Sequence, residues 1–136
     1  MPKVYVTDTG VLAHLLGADE TRAANDPQII GKLFENFVAM EVARLADWAG
    51  QSVTLYHYRR RDEEVDLILE TRTGQIAAVE CKAAATVRPA DYRQISKLRE
   101  ARGDAFIAGF VVYTGEQTLP LSDRIWAVPV GALWAA

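Results

Sequence analysis

Two strand-like runs joined by a short turn, in the segment Glu63–Ala83, constrain the fold of this chain more than any other feature. Both runs are rich in valine, leucine, isoleucine and alanine, and the turn between them reads Arg-Thr-Gly and ends at Gly74. A three-residue hairpin loop with glycine in the left-handed conformation fits this turn. We therefore predict an antiparallel hairpin in which Asp66 lies directly opposite Glu80.

Alternation along the two strands predicts which side chains share a face of the sheet. One face is expected to carry three charged and three apolar residues: Asp66, Glu80, Lys82, Ile68, Ile76 and Ala78. The other face is expected to be apolar: Val65, Leu67, Leu69, Ala77, Val79 and Cys81. A loop of two or four residues would shift the register and separate Asp66 from Glu80.

The charges on the first face allow two interpretations. On a solvent-exposed face of an antiparallel sheet, Lys82 would form a cross-strand ion pair with Glu64. The apolar neighbours instead indicate a face that is partly covered, and the amphipathic helix Leu33–Trp48 is the candidate cover. Glu35 lies in that helix, either as an exposed polar residue or as part of a site with the strand charges.

The rest of the chain predicts an α/β domain with a mixed sheet, because the order around the hairpin is helix, three strands, helix, strand. Small additions are expected at both ends. Outside the hairpin, the predicted elements are a strand at Lys3–Val6, a helix at Val11–Leu16, a polar loop at Asp19–Pro27, a helix at Leu33–Trp48, a strand ending at Tyr58, a helix from Arg88 to Gly103, a buried strand in 105–115 and a last strand with a short helix or turn in 123–136.

Length and composition predict a single domain over residues 1–136, because 136 residues, half of them apolar, can bury a real core. The net charge of −3 argues against a surface built throughout to neutralise phosphates, although a local basic patch is compatible with it. A single cysteine, Cys81, excludes an internal disulfide and suits a reducing compartment. Without an apolar run long enough for a membrane span, or a signal sequence, we predict a cytoplasmic protein with no membrane partner.

Three acidic residues and a lysine carry a family resemblance. Glu35 in "LFENF", Asp66 in "EVD" and Glu80-Cys81-Lys82 in "VECKA" resemble the PD-(D/E)XK nuclease superfamily, whose core is also helix, three strands, helix, strand. Five segments in order, "KVYVTDTGVLAHLLG", "GKLFENFVAMEV", "YHYRRRDEEVDLIL", "VECKA" and "AVPVGALW", resemble more closely the uncharacterised C-terminal domain found behind an AAA-type ATPase module in many bacterial and archaeal proteins. This likeness covers nearly the whole chain.

The resemblance implies a restriction-endonuclease-like αβββαβ core and a place in a longer protein, with an AAA-type ATPase domain attached in cis. Val65 stands where the superfamily motif has its leading proline, a position that is loose in the superfamily. The chain contains no G-x-x-x-x-G-K-[ST] loop, so ATP binding through a P-loop would belong to the attached module.

The same resemblance, with the chemistry of oxygen ligands, gives the acidic residues and the lysine their expected roles. Asp66 and Glu80 would share Mg²⁺ or Mn²⁺, and the carbonyl oxygen of Cys81 would be a further ligand. Lys82 would help an attacking water to ionise or counter charge on the phosphate. Glu35 would complete the site by holding a water or a second ion. The cysteine thiol itself is expected to be buried and unreactive.

Basic residues beside the site are candidates for nucleic-acid contact. Arg59, Arg60 and Arg61 follow two tyrosines and lead into the Asp66 strand, which suits contact with phosphates. The basic pair Arg93 and Lys97 on the second long helix fits a solvated surface slightly better. Both histidines, His14 and His57, are expected to be structural or surface residues.

Three classes of function remain compatible with the sequence. The first is a metal-dependent nuclease that cleaves phosphodiester bonds of nucleic acid. The second is an accessory module of an AAA-type ATPase that binds nucleic acid or a protein without cutting. The third is a structural or oligomerisation domain, which has no physical reason to group three carboxylates and a lysine. DNA against RNA, single against double strand and the oligomeric state stay open, because fold alone does not establish activity.

Overall fold

The computed structural model describes residues 4–134, which form an α/β domain with one mixed six-stranded sheet flanked by helices. The predicted order of helix, three strands, helix and strand is confirmed. The helices are α1 (Thr9–Leu15), α2 (Glu20–Asn25), α3 (Pro27–Trp48) and α4 (Arg93–Arg102). The strands are β1 (Val53–Arg60), β2 (Glu63–Thr71), β3 (Ile76–Lys82), β4 (Phe106–Tyr113), β5 (Leu119–Ser122) and β6 (Ile125–Pro129). Short 3₁₀ turns lie at Pro89–Tyr92, Gly103–Ala105 and Val130–Trp134.

The strand order across the sheet is β1-β2-β3-β4-β6-β5. Strands β1, β2 and β3 form an antiparallel meander, whereas β3, β4 and β6 run parallel to one another. The connection from β3 to β4 passes through α4, as a parallel pair requires a crossover. The carboxyl end of β3 therefore lies at the same edge of the sheet as the start of β2.

The predicted register of the hairpin is confirmed. Leu67 pairs with Val79 and Ile68 pairs with Ala78, and continuing the same register places Asp66 opposite Glu80. Gly74 has a φ of 84°, so the glycine occupies the left-handed conformation that the turn needs. The alternation of apolar and charged residues and this glycine fix the register locally.

The two faces of the sheet carry separate apolar clusters, one under each long helix. The α4-side core consists of Val65, Ile68, Ile76, Ala78, Ile95, Phe106, Val111 and Ile125. The α3-side core consists of Val38, Ala39, Val42, Leu67, Val79 and Val112. The expectation that the helix of Leu33–Trp48 covers the face of Ile68 and Ala78 is wrong, because α4 covers that face and α3 covers the opposite one. Helices must cover both faces because this sheet is mostly apolar on each.

A β-bulge corrects the predicted position of Val65. Tyr56 pairs with Ile68 and Tyr58 pairs with Val65, so β2 has one residue more than β1 between these two pairs. The extra residue reverses the alternation, and Val65 packs into the α4-side core rather than beside Leu67. The bulge therefore lies at Asp66, next to the predicted site.

Three other segments differ from the prediction. Residues 4–6 form no strand, and Lys3 lies outside the described residues. The segment Asp19–Pro27, predicted to be a loop, contains α2, with the Asp19 side chain accepting a hydrogen bond from the Arg22 N–H as its N-cap. Strand β5 was missed, because its short sequence pairs only with β6 at the edge of the sheet.

A buried glycine gives a stability prediction for this packing. A Cβ atom on Gly109 in β4 would lie 2.4 Å from Cγ2 of Ile95 and 3.1 Å from Cζ of Phe106. We expect Gly109→Ala to lower the free energy of unfolding by about 2 kcal/mol or more, because these core side chains have no room to move apart. Gly31→Ala in α3 is the control, since nothing lies within 4 Å of a Cβ there, and it should raise stability by about 0.5–1 kcal/mol. Urea unfolding of both variants tests the opposite signs.

Candidate active site

At Asp66 and Glu80, hydrogen bonds between β2 and β3 run from backbone N–H groups to side-chain carboxyl groups. The Cys81 N–H donates to Oδ2 of Asp66 at 2.8 Å, and the Asp66 N–H donates to Oε1 of Glu80 at 3.3 Å. Two side-chain carboxyl groups thus take the place of backbone carbonyl acceptors, next to the bulge. Each residue of the pair is fixed by the backbone of the neighbouring strand, so their carboxyl groups meet.

The meeting of these carboxyl groups perturbs the titration of Glu80. Burial, the charge of Asp66 and a hydrogen bond between the two side chains together raise the pKa of the Glu80 carboxyl from its ordinary 4.5 to about 9, against a smaller lowering by the Asp66 N–H. Two carboxylates in contact cannot both ionise without an opposing charge, so the pair holds a proton at neutral pH. A cation could replace that proton.

Lys82 lies at the same end of β3, but its ion pair differs from the predicted pair with Glu64. Its Nζ is 3.1 Å from Oδ1 of Asp91, which belongs to the 3₁₀ turn before α4. The cross-strand pair with Glu64 is therefore wrong, since the ladder of β2 and β3 does not continue regularly past the bulge and the turn before α4 brings Asp91 within reach. Lys82 thus points to the α4 side of the sheet, as the alternation from Ala78 predicts.

Glu35 approaches Asp66 from the other side of the sheet. Oε1 of Glu35 accepts a hydrogen bond of 2.9 Å from the Tyr5 hydroxyl, and this hydroxyl oxygen is 3.5 Å from the backbone carbonyl oxygen of Asp66. Glu35 lies in α3, which covers the opposite face from the one that carries Lys82. The four predicted catalytic residues therefore gather at one edge of the sheet from both of its faces.

His57, predicted to be structural or at the surface, is half-buried beside Asp66. Its Nδ1 is 3.4 Å from the Asp66 carbonyl oxygen and its Nε2 is 3.7 Å from Oε1 of Glu64. Neither His57 nor Tyr5 was among the predicted site residues. For His57 the signal was its position in the strand that pairs with Asp66, whereas nothing near Tyr5 in the sequence indicates its contacts.

The predicted arginine cluster lies at the turn between β1 and β2. Arg60 and Arg61 line a cleft of about 420 Å³ with residues of that turn and of α4: Asp62, Glu63, Gln94 and Lys97. Arg59 is exposed and lies opposite Glu64 in the register of β1 and β2. Within the cleft, Lys97 Nζ lies 2.8 Å from Oε1 of Glu63 and lowers the pKa of that carboxyl group. Two of the three predicted arginines therefore line the same cleft as Lys97 of α4.

Cys81 lies on the expected face of the sheet but is less buried than expected. It packs at the edge of the α3-side core, as its alternation with Glu80 and Lys82 predicts. Its side chain is half-buried rather than buried, because β3 ends one residue later at the edge of the sheet.

The donor atoms near Asp66 suit a hard divalent cation. Such ions prefer carboxylate and carbonyl oxygens, and Mg²⁺ is commonly held by only one or two carboxylates. Within residues 4–134, no three His, Cys, Asp or Glu side chains gather closely enough to hold a metal ion together. A cation at Asp66 and Glu80 would therefore need backbone and external oxygens as well, such as the Cys81 carbonyl and phosphate.

Comparison with known proteins identifies a family whose description assigns no function. A sequence model of the family described as Domain of unknown function (DUF4143) matches residues 30–133. Two relatives, "Uncharacterized protein Rv2008c" of Mycobacterium tuberculosis and "Uncharacterized protein Mb2031c" of Mycobacterium bovis, are each 36% identical to this chain over 130 residues. The match covers 94% of this chain, which spans only 27% of the length of each relative. No solved structure matches the chain.

No helix in residues 4–134 has both the length and the apolar character that crossing a membrane requires.

Proposed function

This chain belongs to the DUF4143 family of domains of unknown function, and we propose that it is a divalent-cation-dependent nuclease that cleaves phosphodiester bonds of nucleic acid. The single observation that carries the proposal is the contact between the carboxyl groups of Asp66 and Glu80 at a sheet edge. Burial of two adjacent carboxyl groups costs free energy unless a proton or a cation balances them. A raised pKa caused by burial and a like charge is typical of functional sites.

In this proposal, Asp66 and Glu80 hold Mg²⁺ or Mn²⁺ with the carbonyl oxygen of Cys81. The bound cation would supply electrostatic stabilisation of the charge that develops on the phosphate. Each of the two carboxylates is already held in place by one backbone N–H, through the bonds from Cys81 and Asp66. These two bonds restrict both carboxyl groups before any cation binds.

Lys82 provides the positive side chain of the proposed site. Its ammonium group pairs with Asp91, but 41% of the side chain is exposed, so it can turn toward a phosphate that enters the edge of the sheet. Glu35 completes the arrangement from the α3 side.

The proposed path of the nucleic acid continues from this edge to the arginine cleft. Arg60, Arg61 and Lys97 line that cleft, and Arg59 is exposed beside it. Such contacts would be made to phosphates and would be independent of base sequence. The αβββαβ core of α3, β1, β2, β3, α4 and β4 supports a restriction-endonuclease-like fold for the domain.

An AAA-type ATPase domain attached in cis is part of the same proposal. The mycobacterial relatives are much longer than this chain, and we place an AAA-type ATPase domain in their remaining part. A nuclease-like domain with net charge −3 has little affinity of its own for nucleic acid. The attached ATPase would then deliver or gate the substrate, and the isolated domain should cleave weakly.

The experiment that tests the proposal is a calorimetric titration of the domain with Mn²⁺ and with Mg²⁺ at neutral pH. We expect binding of the cation with release of a proton, because the carboxyl pair must lose the proton that it shares. Glu80→Gln should bind more weakly, since an amide is a poorer ligand than a carboxylate. Wild-type protein that binds neither ion at millimolar concentration would refute the proposal.

A second candidate function is an accessory module that binds nucleic acid or a protein without cutting. The observation in its favour is the ion pair of 3.1 Å between Lys82 and Asp91, in which the lysine contacts a carboxylate outside the Asp66–Glu80 pair. In that case, the carboxyl groups would serve only to accept the N–H groups of Cys81 and Asp66 at the bulge. Nucleic-acid binding that needs no divalent ion and gives no cleavage would favour this function.

A further inference from the structure

We propose that Tyr5 is a positioning residue of the candidate active site, whose hydroxyl holds the Glu35 carboxylate beside the backbone of Asp66. The inference rests on the proposed function, because it assigns Tyr5 a role toward the cation that Asp66 and Glu80 would bind. Tyr5 lies in the segment before α1, 30 residues before Glu35 and 61 before Asp66. It therefore joins three parts of the chain at one point.

The segment that carries Tyr5 is fixed to α3 by one buried amide. Asn36 is 2% exposed, and its Oδ1 accepts a bond of 2.7 Å from the Val6 N–H. Its Nδ2 donates to the Val6 carbonyl oxygen at 2.8 Å and to Oγ1 of Thr9 at 3.1 Å. Three of the four hydrogen-bonding positions of the amide are used on Val6 and Thr9, so the amide fixes the backbone next to Tyr5.

The Tyr5 side chain spans from an apolar contact to a polar one. Its ring packs against the α3-side core, which includes Val38 and Leu67, while its hydroxyl reaches Glu35. A phenol has one proton to donate. That proton goes to the Glu35 carboxylate at 2.9 Å rather than to the Asp66 carbonyl oxygen at 3.5 Å.

A charge-assisted bond of this length restricts the Glu35 carboxylate to the position of the Tyr5 hydroxyl, which itself lies 3.5 Å from the Asp66 carbonyl oxygen. A carboxylate held there can accept a hydrogen bond from a water molecule bound to the cation. A mobile carboxylate would make that contact only part of the time. Partners that orient groups around a metal typically change metal affinity by about 10–100-fold when they are removed. The role of Tyr5 is thus to position Glu35, the third acidic residue of the proposed site. Asn36 contributes indirectly, by fixing the backbone that carries Tyr5.

The test compares four proteins by calorimetric titration with Mn²⁺: wild type, Tyr5→Phe, Glu35→Gln and the double variant. Phenylalanine keeps the ring in the α3-side core and removes only the hydroxyl. We expect each single variant to bind Mn²⁺ about 10-fold more weakly, and the double variant to bind no more weakly than either, because the two residues act through one contact. Tyr56→Phe is the matched control, since Tyr56 is 48% exposed on β1, and it should bind like the wild type.

A readout without any cation accompanies the titration. The carboxyl carbon resonance of Glu35, followed by NMR in the metal-free protein, should move in Tyr5→Phe and stay in place in Tyr56→Phe. A change in the unfolding midpoint alone, with Mn²⁺ affinity and the Glu35 resonance both unchanged, would show that Tyr5 has only a packing role and would overturn the inference.

The remaining outcomes separate this inference from the proposed function. If the wild type binds Mn²⁺ and Tyr5→Phe binds it equally well, Tyr5 has no positioning role and the nuclease proposal still stands. Additive losses in the double variant would also overturn the inference, because they would show independent roles for the two residues. If the wild type itself binds no cation, the proposed function fails, and the role of Tyr5 toward that cation fails with it.

Discussion

Replacing Asp66 with alanine is expected to abolish both divalent-cation binding and cleavage of nucleic acid. Its carboxylate touches Glu80 and accepts the Cys81 N–H at 2.8 Å, so its removal takes away one ligand and releases the backbone that orients the site. Because a catalytic cation contributes several kcal/mol to transition-state stabilisation, cleavage should fall about 10³-fold or more. The measurements are Mn²⁺ titration calorimetry and a gel assay with single- and double-stranded DNA and RNA.

Lys82→Ala should separate two roles within the same assay. We expect Mn²⁺ affinity to be retained and cleavage to fall about 10²–10³-fold, as when one group that stabilises transition-state charge is removed. Lys97→Ala is the control for a lost ion pair, because Lys97 also pairs with a carboxylate at 2.8 Å and is 55% exposed. That variant should reduce substrate affinity in a salt-dependent way and leave the cleavage rate of bound substrate unchanged.

Three results would contradict this interpretation. Unchanged cation affinity in Asp66→Ala would remove Asp66 from the site. Equal cleavage by wild type and Lys82→Ala would show that Lys82 serves only its ion pair with Asp91. Wild-type binding of nucleic acid without cleavage, in the presence of bound Mn²⁺, would favour the accessory module.

Glu80→Gln is expected to flatten the dependence of stability on pH in the metal-free protein. Burial beside Asp66 raises the pKa of Glu80 from 4.5 to about 9, so the folded protein keeps a proton over this range that the unfolded chain has lost. Unfolding then releases a proton, and the free energy of unfolding falls as pH rises. The slope from this one group is at most about 1.4 kcal/mol per pH unit.

The sign of the effect distinguishes it from ordinary acid denaturation. The stabilising contribution of the Glu80 proton is fully present below pH 4.5 and is lost as pH rises toward about 9. Glutamine stays neutral and keeps an oxygen that can accept the Asp66 N–H. The variant should therefore be more stable than the wild type at about pH 8, and the two should approach each other near pH 4.

Urea unfolding of both proteins at several pH values measures this difference. Glu100→Gln is the matched control, because Glu100 is 75% exposed in α4, and its pH profile should follow the wild type. Parallel profiles for wild type and Glu80→Gln would mean that Glu80 is ionised in the folded protein. The carboxyl pair would then need another balancing charge nearby.

The sequence by itself determined the α/β class, the order of the central elements and the register that brings Asp66 opposite Glu80. These features follow from signals that lie close together in the chain: helical and strand periodicity, the glycine at 74 and the length of one turn. A hairpin register depends only on its own two strands and the loop between them. The contact of the two carboxyl groups was predictable for the same reason.

Only the tertiary structure decided which helix covers which face, and where the ends of long side chains go. Val65 changed face because β1 is one residue shorter than β2 at the bulge, which depends on how two strands pack together. Lys82 forms its ion pair with Asp91 because the turn before α4 lies close to the end of β3. The reach of Tyr5 across 30 residues to Glu35 depends on an amide clamp that no local pattern encodes. Contacts between residues distant in sequence are set by the packing of whole elements, and local propensity does not predict them.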